Sequence, residues 1–463
     1  MNAFDLQNIL DSYATYSPED RLHLNPRFAD LLRLIGLDRR FVAASGAHLF
    51  DEQGDRYLDA VGGFAALSLG RNHPTLIDAI RQAVELQPPA LVQFEIPPLA
   101  VALADRLKTV LGRREDRVFF VNSGTESVEA AMKIARAATG RSGFAHWTNA
   151  FHGLTFGALS LNGAAWLRRG FEPVIPGCRE IEFGDLDALE RALEDRSIAA
   201  MFVEPIQGKG VHPHPPGVLP AVAEICRRTG TLLVADEVQT GLGRTGDLLA
   251  VDHDGVRPDL ICLSKALSGG MVPVGAVVGD ASIFDRVFDS VERSVVHSST
   301  FRENPLAMAA GLASLHVLET EGLVDRSRTC GQRLVEGLRG VMMRTRGIRE
   351  VRGRGLMIGI ELDPSALAFD LPGYGSRTPT LVAQAVVAWM LQKHRILVQS
   401  TSKSSPVIKV VPPLVVTDDD VDWFTTGLES TLRELARGRG AAVRGLLQML
   451  VRAPDVVVRE AFR

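Results

Sequence analysis

Three short stretches of the chain carry residues suited to chemistry. In Phe120-Val121-Asn122-Ser123-Gly124-Thr125-Glu126-Ser127 an apolar strand runs into a small-residue turn and then into helix formers. Backbone N–H groups at Gly124 and Thr125 would then lie at the positive end of a helix, an anion site that suits phosphate. A simple Ser/Thr helix cap explains the same residues. In Thr231-Leu232-Leu233-Val234-Ala235-Asp236-Glu237-Val238-Gln239 an apolar strand delivers an acid to its C-terminal end, where open α/β sheets build their sites. A desolvated carboxylate needs a cationic partner there: a protonated ring nitrogen would serve, and so would Arg244. In Asp259-Leu260-Ile261-Cys262-Leu263-Ser264-Lys265 a lysine directly follows an apolar strand. Partly desolvated near other cations, it can lose its proton and form a Schiff base; a lone lysine more often snorkels to solvent.

A phosphate cradle, an acid for a pyridinium nitrogen and a Schiff-base lysine are the three handles of pyridoxal 5'-phosphate. With them in this order, the chain resembles the class III, or omega-, aminotransferases of the fold type I pyridoxal-phosphate enzymes, from about Gly46 to Pro413. The resemblance implies an α/β fold: a large domain with a mostly parallel sheet between helices, and a smaller α+β domain built from both termini. It implies that Ser123, Gly124 and Thr125 hold the cofactor phosphate, that Phe151 of Phe151-His152-Gly153 stacks on the ring with His152 beside it, and that Asp236 faces the ring nitrogen. Val238 would pack the other ring face, Gln239 would lie near the phenolic oxygen, and Lys265 would be the Schiff-base lysine and proton carrier. Thr300 would reach the phosphate of a second copy, which implies a homodimer with composite sites. Glu204, in Glu204-Pro205-Ile206-Gln207-Gly208, is similar to the family's gate glutamate.

Departures from the family's pattern bear on substrate. Leu154 stands where ornithine and acetylornithine members carry an arginine, and Phe64 stands where ornithine enzymes carry a tyrosine. Without that guanidinium and hydroxyl, a distal carboxylate would be buried unpaired. Lys409, in Val407-Ile408-Lys409-Val410-Val411, replaces the arginine that forks around a substrate carboxylate. A lysine is a point charge that could pair with Glu204 when an uncharged-tail donor is bound and then swing to a 2-oxo acid, or could face solvent at a strand edge. Arg302-Glu303 replaces two glycines near the expected dimer interface. The pocket therefore suits a primary amine with an uncharged or apolar far end, such as a putrescine-type diamine or an amine or aldehyde of specialised metabolism. A 2-oxo acid (2-oxoglutarate or pyruvate) would be the acceptor. An ornithine- or acetylornithine-type enzyme and an aminomutase are the alternatives.

The elements that must position these groups follow from patterning. Arg117–Val121, Ala199–Val203, Thr231–Ala235, Leu260–Leu263 and Val274–Val278 read as buried strands, and Glu126–Ala138 as a helix; such alternation argues for a sheet covered on both faces. Long helices follow Glu319, with Gly355–Leu362 a strand between them. These patterns place the large domain at residues 76–325 and the smaller one at 1–75 and 326–463, where Gly440–Arg463 reads as an extra Arg-rich surface helix. The 463 residues, 46% hydrophobic and 23% charged with a net charge of −4, are enough for a sizeable core. They argue against disorder and against a basic nucleic-acid surface. The first 21 residues lack a cationic start followed by an apolar stretch, no run is long enough to span a bilayer, and the four cysteines form no C-x-x-C pair, so a reducing, cytoplasmic setting is expected. Gly241-Leu242-Gly243-Arg244-Thr245-Gly246 spells a dinucleotide fingerprint, but the acids intervene between strand and glycines and no helix start follows. His212 and His214 lack further ligands at useful spacing, so no metal is expected.

Overall fold

Strands without polar alternation are stable only where both faces are covered. Seven of them form the central sheet: β1 Arg117–Val121, β2 Gly143–Trp147, β3 Cys178–Ile181, β4 Ile198–Val203, β5 Leu232–Asp236, β6 Leu260–Leu263 and β7 Gly275–Gly279, in the order β1-β7-β6-β5-β4-β2-β3. β7 runs antiparallel to both its neighbours, and the remaining pairs are parallel. The chain was analysed as a computed structural model that describes residues 4–12, 25–35, 39–92, 94–367, 378–401 and 405–437.

Period-two alternation divides the sheet's side chains between two layers. Phe119, Val121, Phe144, Phe202, Val234 and Cys262 pack with the helix Gly124–Thr139, whose Ala131 and Ala135 permit close approach. Phe120, Trp147, Met201, Val203, Leu233 and Leu263 share the opposite core with Leu103 and Met308 of the helices Pro98–Val110 and Pro305–Thr320. Each fully buried Leu or Phe in these layers contributes about 1.5–3 kcal/mol.

Two smaller sheets flank this core. Phe41–Ser45, His48–Asp51 and Arg56–Asp59 form a meander that Ile396–Leu397 joins in parallel, so residues distant in sequence meet in one sheet. Ile348–Arg354, Met357–Leu362, Val407–Val410 and Gln399–Ser400 form the other. Among the described residues no helix is long and apolar enough to cross a membrane.

Several boundaries differ from the sequence expectation. β5 starts at Leu232 because Thr231 sits in the turn after the helix Val218–Thr229, and β5 runs on to include Asp236. Gly355 belongs to a hairpin turn at φ +53°, and the strand starts at Met357. β2 and β3 were not expected. Gly143-Phe-Ala-His-Trp interrupts its apolar run with His146, and Cys178-Arg-Glu-Ile is an edge strand with two charged residues. Gly440–Arg463 lies outside the described residues.

Candidate active site

Because β1, β2, β4, β5 and β6 point the same way, their C-terminal ends share one edge of the sheet. The residues that follow them are Ser123, Phe151, Glu204, Asp236 and Lys265, and this edge is the usual site of ligand binding in open α/β sheets.

At the end of β1, Ser123 is extended and caps the helix Gly124–Thr139, its hydroxyl accepting from the Glu126 N–H at 3.3 Å. The cap expectation therefore holds, and the cap leaves the first helical N–H groups without an intrahelical acceptor. Gly124 is required by packing: a Cβ there would lie 2.6 Å from Val238 Cγ1. The loop after β2 meets the same turn. A Cβ on Gly153, at φ +127°, would lie 2.3 Å from Thr125 Oγ1, and Thr125 bonds the Thr155 hydroxyl at 2.8 Å. Gly153→Ala is thus expected to strain the backbone and push on Thr125, at a cost of about 1–3 kcal/mol. Thermal melting with and without pyridoxal phosphate checks this, and the cofactor-induced rise in Tm should shrink.

Asp236 ends β5 almost fully buried. Its Oδ2 accepts from His152 Nδ1 at 2.7 Å and its Oδ1 from the Val238 N–H at 3.1 Å. Burial works against a charged His152, but the hydrogen bond and charge of Asp236, with help from Glu204, outweigh it and raise the imidazole above its usual range. Asp236 is therefore partnered by His152. Arg244, the sequence-stated alternative, instead donates to the carbonyls of Leu356 and Pro412. The His152 N–H is held by Asn162 Oδ1 at 2.8 Å, and Asn162 Nδ2 donates to the Gly153 carbonyl at 2.7 Å. Asn162 escaped sequence reasoning because nothing in its own neighbourhood marks it.

Lys265 follows β6 at φ +33°, in a short 3₁₀ turn, with its side chain half-buried. Burial pushes its ammonium below the ordinary lysine range, and Arg244 adds to this against the attraction of Asp236 and Glu204. These surroundings differ from those of a lysine extended fully into water.

Glu204, buried after β4, accepts from the Phe151 N–H at 2.9 Å and the Gly208 N–H at 2.8 Å, and burial raises its pKa. Lys409 departs from the reading in which it faces solvent at a strand edge; pairing with Glu204 is expected only with a donor bound. It lies inside a sheet, between Gly359 and Gln399, and is only 5% exposed, so it does not face solvent. Nor does it pair with Glu204: Lys409 Nζ donates to the Gly208 carbonyl at 2.8 Å and to Gln239 Oε1. Burial and the positive charge of Lys265 lower its pKa to about 7. Gln239 Nε2 in turn donates to the Phe64 carbonyl at 3.0 Å.

Some expected residues stand apart. The side chains of Phe64 and Leu154 are exposed, as is Thr300, and among the described residues no hydrogen bond joins Thr300 to the Lys265 cluster. Its neighbour Ser299 accepts from Asn122 Nδ2 at 2.8 Å, beside the β1 turn. Arg302 and Glu303 pair at 2.8 Å and line a cavity of about 220 Å³ with Pro89, Leu91 and Pro98. His214 packs against Phe183 and Trp147, and no group of three metal-ligating side chains occurs among the described residues.

Free helix N–H donors, a carboxylate fixed by an imidazole and a lysine amine with depressed pKa suit a phosphorylated pyridine aldehyde. Residues 38–432 match the family model for class-III aminotransferases, and the chain belongs to that family of fold type I, pyridoxal-phosphate-dependent enzymes. It is 38% identical over 454 residues to aminotransferase PigE of Serratia sp. (strain ATCC 39006), covering 90% of this chain but only 53% of that protein's length. Among solved structures, the ornithine aminotransferase of Toxoplasma gondii ME49 superposes with a TM-score of 0.81 at 32% identity, over 93% of this chain and 99% of that one. A pyridoxal-phosphate-bound amine transaminase from an uncultivated Pseudomonas species superposes with a TM-score of 0.75 at 30% identity, over 85% and 94%.

Proposed function

We propose that the chain transfers the amino group of a primary amine with no distal carboxylate (a putrescine-type diamine or an amine or aldehyde of specialised metabolism) to a 2-oxo acid such as 2-oxoglutarate or pyruvate, in ping-pong order. The observation that carries this is Glu204: a buried carboxylate held only by two backbone N–H groups, with no cationic partner at salt-bridge distance among the described residues. Such a group attracts an ammonium tail and repels a carboxylate.

Pyridoxal phosphate supplies the carbonyl that takes up the amine and a ring that accepts electrons from the substrate carbon. Ser123, Gly124 and Thr125 would hold its phosphate, Asp236 its ring nitrogen, Phe151 and Val238 its two faces, and Gln239 its phenolic side. Lys265 Nζ, whose pKa burial lowers, would remove the proton from the carbon bearing the amino group and return it one position along. Asp236, oriented by His152, keeps a positive charge on the ring. Phe64, Phe94, Ile96 and Phe301 are exposed apolar residues that a second copy would cover, and Thr300 would then serve that copy's phosphate site.

The similarity to ornithine aminotransferases keeps ornithine as a second donor candidate. The test is a half-reaction screen with putrescine, cadaverine, longer alkyl amines, ornithine and lysine, following the visible absorbance of the bound cofactor. Conversion by amines and not by ornithine is expected; rapid conversion by ornithine overturns the donor assignment and leaves the aminotransferase chemistry standing. Leu154→Arg is expected to improve kcat/KM for ornithine by about 10-fold or more through a new bidentate carboxylate contact.

A further inference from the structure

Lys209 follows directly on the Glu204-Pro-Ile-Gln-Gly208 turn, and no expectation attached to it. Its Nζ is shielded from solvent and has no hydrogen-bond partner among the described residues. It lies 5.1 Å from the centre of the Phe151 ring and 5.7 Å from that of Trp166, between the two aromatics. Cation–π contact offsets part of the desolvation of an ammonium, but leaves its three N–H donors without acceptors. A buried charged donor in that state is unusual in a structural role, where one carboxylate or carbonyl would satisfy it.

The contrast with Lys409 decides which cation is available. Lys409 already gives two of its N–H groups to the Gly208 carbonyl and Gln239. The Lys209 ammonium gives none. The two lysines stand around one carboxylate, Glu204, whose charge acts on both. A bound carboxylate would supply the acceptor that the Lys209 Nζ lacks. The surroundings are partly open: Phe151 is half-buried, and Trp166, Leu154 and Phe156 are exposed.

We propose that Lys209 is the anchor for the distal carboxylate of a dicarboxylic 2-oxo acid acceptor, reached as Trp166 moves off the ammonium. In this chain Leu154 stands where an arginine would anchor the distal carboxylate and Lys409 is tied up, so the unsatisfied Nζ of Lys209 takes that role. The inference rests on the aminotransferase assignment for its acceptor and is independent of the donor.

The experiment measures equilibrium binding of glutarate, which has both carboxylates and no oxo group, and of butyrate, by calorimetry on the cofactor-loaded protein. Wild type and Lys209→Met are compared, with acceptor KM for 2-oxoglutarate and pyruvate taken in parallel. Lys209→Met is expected to weaken glutarate at least 10-fold, leave butyrate within 2-fold, and erase the KM preference for 2-oxoglutarate over pyruvate; Lys209→Arg should restore most of it. Unchanged glutarate affinity in a Lys209→Met protein with wild-type Tm overturns the proposal. Should that variant fail to fold, Lys209→Gln is read by the same criteria, and Lys209-dependent glutarate binding alongside a failed amine screen removes the donor assignment only.

Discussion

Lys265→Ala is expected to abolish transamination, with kcat/KM falling by about 10²–10⁴-fold from loss of proton transfer alone and further from loss of the covalent link to the cofactor. Lys265 Nζ is the one group at the end of β6 whose basicity is set by its surroundings. Burial lowers its pKa, Arg244 pushes the same way, and the carboxylates of Asp236 and Glu204 oppose. An amine held this way is unprotonated over more of the neutral range than a solvated lysine, as a proton carrier must be. Single-turnover absorbance with an amine donor checks the loss, and borohydride trapping followed by mass measurement checks the link. Wild type should gain the mass of the reduced cofactor and Lys265→Ala should not. Added methylamine should recover part of the proton transfer in the variant, which a collapsed site could not do. A variant with more than a tenth of wild-type kcat/KM would contradict the assignment.

The sheet and its chemical edge were legible because their signals are local. An apolar run that ends in an acid or a lysine carries both its structure and its function within about ten residues, as β5 with Asp236 and β6 with Lys265 do. The turn at Ser123-Gly124-Thr125 was equally readable, since strand end, cap and helix start are consecutive. What stayed hidden depends on distant residues meeting. His152 and Asp236 are separated by β3, β4 and β5, so their hydrogen bond has no sequence signature. The partners of Lys409 illustrate the same limit. An edge position is one of its two readings, but pairing with both Met357–Leu362 and Gln399–Ser400 makes the strand internal, and that buries the Lys409 amine against Gly208 and Gln239. A Cβ on Gly208 would lie 2.7 Å from Gln239 Oε1, so that amide would have to shift off its bond to Lys409. β2 and β3 were missed for the opposite reason: His146, Arg179 and Glu180 break the apolar pattern, and burial of β2 comes from the strands and helices laid over it.

Asp236→Asn should be nearly as damaging while leaving the fold intact. The side chains are isosteric, so the Val238 N–H can still bond to Oδ1. The charge is lost, however, and two effects follow. A neutral amide cannot hold a proton on the cofactor ring nitrogen, and removing one preorganised charge of this kind costs on the order of 10²–10³-fold in kcat. His152 also changes state. Burial lowers its affinity for a proton, and the wild-type rise depends on the hydrogen bond and charge of Asp236. With asparagine, burial dominates and the pKa falls. The His152 titration observed by NMR of labelled protein should therefore move to lower pH, in parallel with the loss of kcat. His152→Gln separates the two effects, since it removes the titrating ring and retains the carboxylate. If the charge of Asp236 is what matters, His152→Gln loses about 10–100-fold, the range for a residue that acts by orienting another, and Asp236→Asn loses more. The reverse ranking would make His152 the principal proton-holding group and Asp236 its support.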